Sequence, residues 1–222
     1  MSYMWNEFNI KTMRAETIVY RDGVYCPDLS TLENKPIDKK YDLPVHIIYV
    51  GEISGENNLS VNITCQDQQV VLSVNVKNKK PAFLNIFIKN TGKNSEIRGT
   101  VFLENNSELK YNCVAHHMCK NTAILIKNKL LAGKKSVSEL SGVAIIDTNC
   151  PGCASDVGFV AMADEGAKII FKPEQRISAE PLSAEHSAAI YRPSDFQIQY
   201  LRGAGLSGAE VDLAMKEAFM SE

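Results

Sequence analysis

The chain has 222 residues, enough for one domain with a large core and no need of cross-links. Hydrophobic residues make up 45% and charged residues 23%, an ordinary globular balance. The formal net charge is −2, from 24 basic and 26 acidic residues, which argues against nucleic acid as a partner because phosphate binding needs a basic excess on one face.

Residues 1–7, MSYMWNE, carry no charged stretch ahead of an apolar run, so no export signal is expected. No apolar run approaches ~18 residues, so no segment is expected to span a membrane. The expected location is the cytoplasm, where thiols stay reduced. Cys26, Cys65, Cys113, Cys119, Cys150 and Cys153 then read as buried apolar residues, metal or cluster ligands, or redox thiols. A disulfide framework is not expected.

Residues 1–16 form an irregular lead in which Trp5, Phe8 and Met13 show no clean period. Residues 17–20 and 24–25 read as a hairpin whose Asp22-Gly23 pair supplies the positive-φ turn. Residues 31–42, polar and carrying Pro36, read as a surface loop. From residue 45 to residue 171 short strands recur. Val70, Leu72, Val74 and Val76 alternate with polar or small partners, as do Leu84, Ile86 and Ile88. Similar runs cover residues 45–50, 101–103, 109–114, 123–126, 137–146, 157–162 and 167–171. Period-2 alternation marks half-buried strands. Residues 55–58, 90–94 and 104–106 and the pairs Lys120-Asn121 and Lys127-Asn128 read as turns, because Asn and Gly tolerate left-handed backbone. This spacing fits a sandwich, a barrel or a solenoid, and periodicity alone does not separate them.

The C-terminal segment reads as two short helices. Ser194 caps residues 195–202, with Phe196 and Tyr200 on one face and Leu201 beside them, and Gly203 and Gly205 stop the helix. Ser207 and Glu210 form a capping box bracketed by Leu206 and Val211. Val211, Ala214, Met215, Ala218 and Phe219 then keep a helical period.

Lys172-Pro173-Glu174 opens an extended stretch that leads to Ala184-Glu185-His186-Ser187-Ala188, then to the run Tyr200-Leu-Arg-Gly-Ala-Gly205, and closes on Ala218-Phe219. This order resembles the C-terminal core of the SufB/SufD family, scaffold subunits of the SUF iron–sulfur cluster assembly system. The hairpin at residues 17–30 is similar to one that SufD-like chains carry ahead of their core. The resemblance implies a mainly β fold, with a right-handed parallel β-helix over residues 45–191. An N-terminal lead, hairpin and loop (residues 1–44) precede it, and a helical docking module (residues 192–222) follows.

The resemblance further implies a non-catalytic scaffold that docks a separate ABC-type ATPase, SufC-like, through its C-terminal helices. Phe196, Tyr200, Leu206, Val211 and Phe219 would partly cover the β-core, and the remaining helix surface, with Leu201, would meet the ATPase. The dimer partner would be a second copy or a SufB-like chain. His186 corresponds to a family histidine near the subunit interface that is implicated in holding a transient cluster or iron, with Glu185 beside it. SufB chains that build the cluster place a Cys about one coil upstream of this His and a Glu directly after it. Here Ser187 follows His186, and the upstream position falls at Val157 or Gly158. The chain is therefore similar to a shortened SufD-like member.

Two further constellations carry metal-binding chemistry. Cys150-Pro-Gly-Cys153 presents two thiols at a tight turn, as a metal knuckle or redox pair does. In the run 113–119, CVAHHMC, an extended strand would put Cys113, His117 and Cys119 on one face, and a neighbouring coil would bring Cys150 or Cys153 toward it. A zinc- or iron-binding structural β protein built on these residues is the alternative function. No G-x-S-x-G, Walker A or G-x-G-x-x-G motif occurs.

Overall fold

A computed structural model describes residues 16–221. The lead with Trp5, Phe8 and Met13 lies outside the described residues. The chain is a parallel β-solenoid of about 7 turns followed by two helices. Among the described residues fourteen strands run in order: β1 (Glu16–Arg21), β2 (Val24–Tyr25), β3 (Val45–Glu52), β4 (Gly55–Ile63), β5 (Gln69–Asn78), β6 (Ala82–Asn90), β7 (Glu96–Asn105), β8 (Glu108–His117), β9 (Ala123–Ala132), β10 (Val137–Ile146), β11 (Ala154–Ala163), β12 (Lys168–Ile177), β13 (Ser183–Glu185) and β14 (Ala188–Tyr191). The helices are α1 (Asp195–Gly203) and α2 (Gly208–Ser221).

From β3 to β13 successive strands alternate between two sheets. One runs β13-β11-β9-β7-β5-β3-β1-β2, with β14 also on β11; the other runs β12-β10-β8-β6-β4. Pairing is parallel except between β1 and β2, whose hairpin turns through Asp22 (φ 49°) and Gly23 (φ 84°). In β5, Val70, Leu72, Val74 and Val76 are buried while Gln69, Val71, Ser73 and Asn75 are not. One face of each sheet therefore points into a shared apolar core. Pro173 has no amide hydrogen, and it sits in β12, the last strand of its sheet, where no further strand needs one.

Coil length is regular in the middle of the molecule. Gly55 pairs with Ala82 and Ala82 with Leu109, a repeat of 27 residues. One corner is held by a column of left-handed residues: Asp67 (φ 57°), Asn94 (φ 56°), Asn121 (φ 57°) and Gly152 (φ 71°). The Asn94 amide donates to Asp67 Oδ1 at 3.0 Å, and the Asn121 amide to Asn94 Oδ1 at 3.3 Å.

Three expectations are corrected. Residues 55–58 belong to strand β4, because Asn58 starts an outward-facing amide ladder: Asn85 donates to it at 2.9 Å and Asn112 donates to Asn85 at 3.4 Å. Lys127 and Asn128 lie inside β9, where Asn128 is fully buried and takes the Tyr111 hydroxyl hydrogen at 2.6 Å. Phe196 and Tyr200 do not cover the core, being 77% and 69% exposed; Val211 and Phe219 are the helix residues that are buried. Among the described residues, no helix is long and apolar enough to cross a membrane.

Candidate functional site

The last coil of the larger sheet carries His186. Strand β13 ends at Glu185 and β14 begins at Ala188, so the chain departs from regular pairing at His186 and Ser187. Glu185 pairs in register with Asp156 on β11. Both carboxylates therefore lie on one face of the sheet. Burial and then the Glu185 charge push the Asp156 carboxyl above its ordinary pKa, while His186 pulls it down. Asp156, Glu185 and His186 thus share one electrostatic environment. Gly158 keeps the floor open: a Cβ there would lie 2.9 Å from Ser187 Oγ and 3.6 Å from Asp156 Oδ1. Glu185 and His186 are exposed. Asp156 is the residue that sequence reasoning missed. Its signal was its position one coil before Glu185, visible only once the coil length is known.

A second constellation lies inside the solenoid corner after β8. His117 is fully buried at the end of that strand. Its Nδ1 lies 2.7 Å from Thr122 Oγ1, which is 3.2 Å from Cys153 Sγ. Thr122 and Cys153 each donate to the Cys119 carbonyl at 3.2 Å. With its one hydrogen committed there, the Thr122 hydroxyl accepts from His117 Nδ1–H, leaving the Nε2 lone pair bare. Nε2 has no hydrogen-bond partner. Burial, with a smaller contribution from His116, pushes the imidazole down to about 4, so it is neutral near pH 7. Burial first, then the neighbouring Cys153, Asp147 and Cys119, push the Cys150 thiol up. Cys113 is separate: it is buried in the apolar core and its thiol is pushed up to about 12 by desolvation. On the outer face, His116 Nε2 meets both Asp147 carboxylate oxygens at 3.1 Å. All six cysteines are free thiols. Among the described residues, no three His, Cys, Asp or Glu groups are already set to hold a metal ion.

The helices close the chain with both predicted caps. The Ser194 hydroxyl accepts from the Gln197 amide at 3.3 Å, and Gln197 Oε1 accepts from the Ser194 amide at 2.9 Å. The Ser207 hydroxyl and Glu210 repeat the arrangement for α2. Helix α2 is fastened to the solenoid by Lys129 of β9. That side chain is buried, donates to the Phe219 carbonyl at 2.8 Å, and lies 5.5 Å from the ring centres of both Phe102 and Phe219. Val211 and Phe219 therefore anchor the module, Leu201 and Leu206 are half-buried, and Phe196 and Tyr200 face solvent.

A search of curated proteins finds no match. The family model described as SUF system FeS cluster assembly, SufBD core domain, matches residues 47–219, which spans the solenoid from β3 onward and both helices. With most of its length matched, the chain belongs to the SufB/SufD family of the SUF iron–sulfur cluster assembly system.

Proposed function

We propose that this chain is a scaffold or accessory subunit of a cytoplasmic SUF complex that docks a SufC-like ABC ATPase through α1. One observation beyond family membership supports this: α1 is capped, adjoins an anchored α2, and still holds Phe196 and Tyr200 in solvent. Large exposed aromatics on a fixed helix are the anchors that partner pockets take. ATP hydrolysis belongs to the partner, and this chain supplies the surface it moves. Strands β12, β13 and β14 end their sheets and offer a strand edge for a second copy or a SufB-like chain.

Iron or a nascent cluster is the cargo, received at the Asp156, Glu185 and His186 end. One imidazole and two carboxylates suit ferrous iron better than they suit a preformed cluster with all-thiolate ligation. This makes the chain the iron-side half of a shared site, with sulfur ligands supplied across the subunit interface.

The test is co-purification with the ATPase of the same source, with its hydrolysis rate read with and without this chain. Phe196→Ala with Tyr200→Ala weakens association by at least about 2 kcal/mol, as expected for two hot-spot aromatics. His186→Ala leaves association intact and lowers cluster yield in anaerobic reconstitution with the partner scaffold present. ATPase binding that survives the double aromatic change would refute docking through α1.

A further inference from the structure

We propose that the outer face of the smaller sheet is an interface with a second copy of this chain. The larger sheet already carries covers on its outer face. Helix α2 seats Phe219 on Lys129 of β9, and Leu29 packs on Val19 and Ile48. The smaller sheet instead holds Phe83, Phe87, Val137 and Ile170 at 37%, 43%, 40% and 49% exposure. All four point outward, on the face opposite the buried Leu84, Ile86 and Ser138. Phe83 and Ile170 stand in one cross-strand row, Phe83-Lys110-Glu139-Ile170. Beside that row lies a groove of about 300 Å3, lined also by Pro81, Leu109 and Val137. A contiguous apolar surface of this kind marks an interaction site.

Size, charge and register identify the occupant. Strands of nine or ten residues, five abreast, make a face of about 32 Å by about 24 Å, or roughly 750 Å2. Each partner in a standard stable complex buries about 800 Å2. Charges on the face neutralise one another: Lys172 donates to Glu139 at 2.7 Å, Arg176 donates to Glu174 at 2.6 Å, and His116 meets Asp147 at 3.1 Å. A face balanced in this way draws neither a polyanion nor a polycation, and it suits another face like itself. The rows supply the register. On one side of the Asn85-Asn112-Ser141 row lie Phe83-Lys110-Glu139 and then Glu108-Val137; on the other lie Phe87-Val114-Val143 and then Lys89-His116-Ile145. A two-fold axis along the Asn85-Asn112-Ser141 row lays two copies face to face with antiparallel strands and exchanges the two sides. Phe83 then meets the partner's Phe87, Val137 meets the partner's Ile145, and Glu108 meets the partner's His116. The symmetry makes each contact twice. Phe87 is the knob that enters the groove beside the partner's Phe83. Helix α2 sits on the opposite sheet, so the docking helices of both copies stay outside the dimer.

The experiment is sedimentation equilibrium on the full chain, and a dimer is expected. Phe87→Glu changes an exposed ring, so it is expected to keep its circular dichroism. It is expected to raise the dimer Kd at least about thirtyfold, the loss that a hot-spot aromatic gives. Adding Phe83→Lys to Phe87→Glu is expected to restore the dimer, because the two new charges oppose each other only across the two-fold axis. Within one chain, positions 83 and 87 of β6 lie about 13 Å apart. Ile190→Arg, on β14 at the strand edge, is expected to leave the dimer intact. A monomeric unmutated chain, which would leave this face to a different protein, would overturn the proposal. So would a dimer that survives Phe87→Glu, or a double variant that stays monomeric. ATPase association through α1 is measured separately, so the two readings fail separately.

Discussion

Asn128 shows how a single residue can be misread. Beside Lys127 it looks like a turn, yet its side chain links three coils. It accepts from Tyr111 at 2.6 Å and donates to the Gly158 carbonyl at 2.9 Å, all inside the core. The sequence carries the amide but not the partners, which come from strands 17 and 30 residues away. Asn128→Ala is expected to destabilise the fold by about 2 kcal/mol, because it strands two buried polar groups; urea unfolding would show it. Cys113 makes a different prediction. With its thiol near 12, it stays protonated and unreactive at pH 8, whereas an unperturbed thiol would be partly ionised there. Mass mapping after alkylation is expected to find Cys113 unmodified in the native chain and modified once the chain is unfolded. Asp156 was invisible for the same reason as the partners of Asn128: its neighbour Glu185 is remote in sequence and adjacent only across β11 and β13.

At the level of elements, the strands were legible wherever alternation was clean, as in β5, β6 and β10. Strand β4 was not, because its first residues, Gly-Glu-Asn-Asn, read as a turn, whereas Asn58 accepts from Asn85, which in turn accepts from Asn112. Both helices were legible from their caps, Ser194 for α1 and the Ser207–Glu210 box for α2, but the faces they present were not. Aromatic periodicity suggested that α1 lies on the core, whereas Phe196 and Tyr200 face outward. The attachment depends on α2. Phe219→Ala removes a buried ring and is expected to weaken that attachment by about 3 kcal/mol. Hydrogen exchange should then accelerate across residues 208–221 while strands β5 to β10 stay protected. Equal acceleration in those strands would mean that the helix is part of the core's own stability.

For the whole molecule, parallel stacking makes stability a sum over neighbouring coils. Central strands β5 to β10 have strand neighbours on both sides, while β12, β13 and β14 end their sheets. Native-state hydrogen exchange is therefore expected to rank the amides, with the last coil opening first and the centre last. One common opening energy for every coil would contradict this picture. The solenoid could not be told from a sandwich by alternation alone, since both bury alternate residues. What distinguishes it is the 27-residue recurrence of left-handed corners at Asp67, Asn94 and Asn121, a signal spread over residues too varied to read as a repeat.

That corner column also governs how the chain tolerates insertions. The coil after Asn121 is longer, with Ala123 paired to Ala154 across a step of 31 residues, yet the strands beyond it stay aligned through Ala163. Gly152 takes the left-handed position and realigns the chain before β11 begins. Extra residues between Asp147 and Gly152 are absorbed as loop, and none of the added length passes into the sheet. For an engineer this corner is a socket: a recognition loop or a reporter peptide grafted there would ride on a frame whose reading stays in phase.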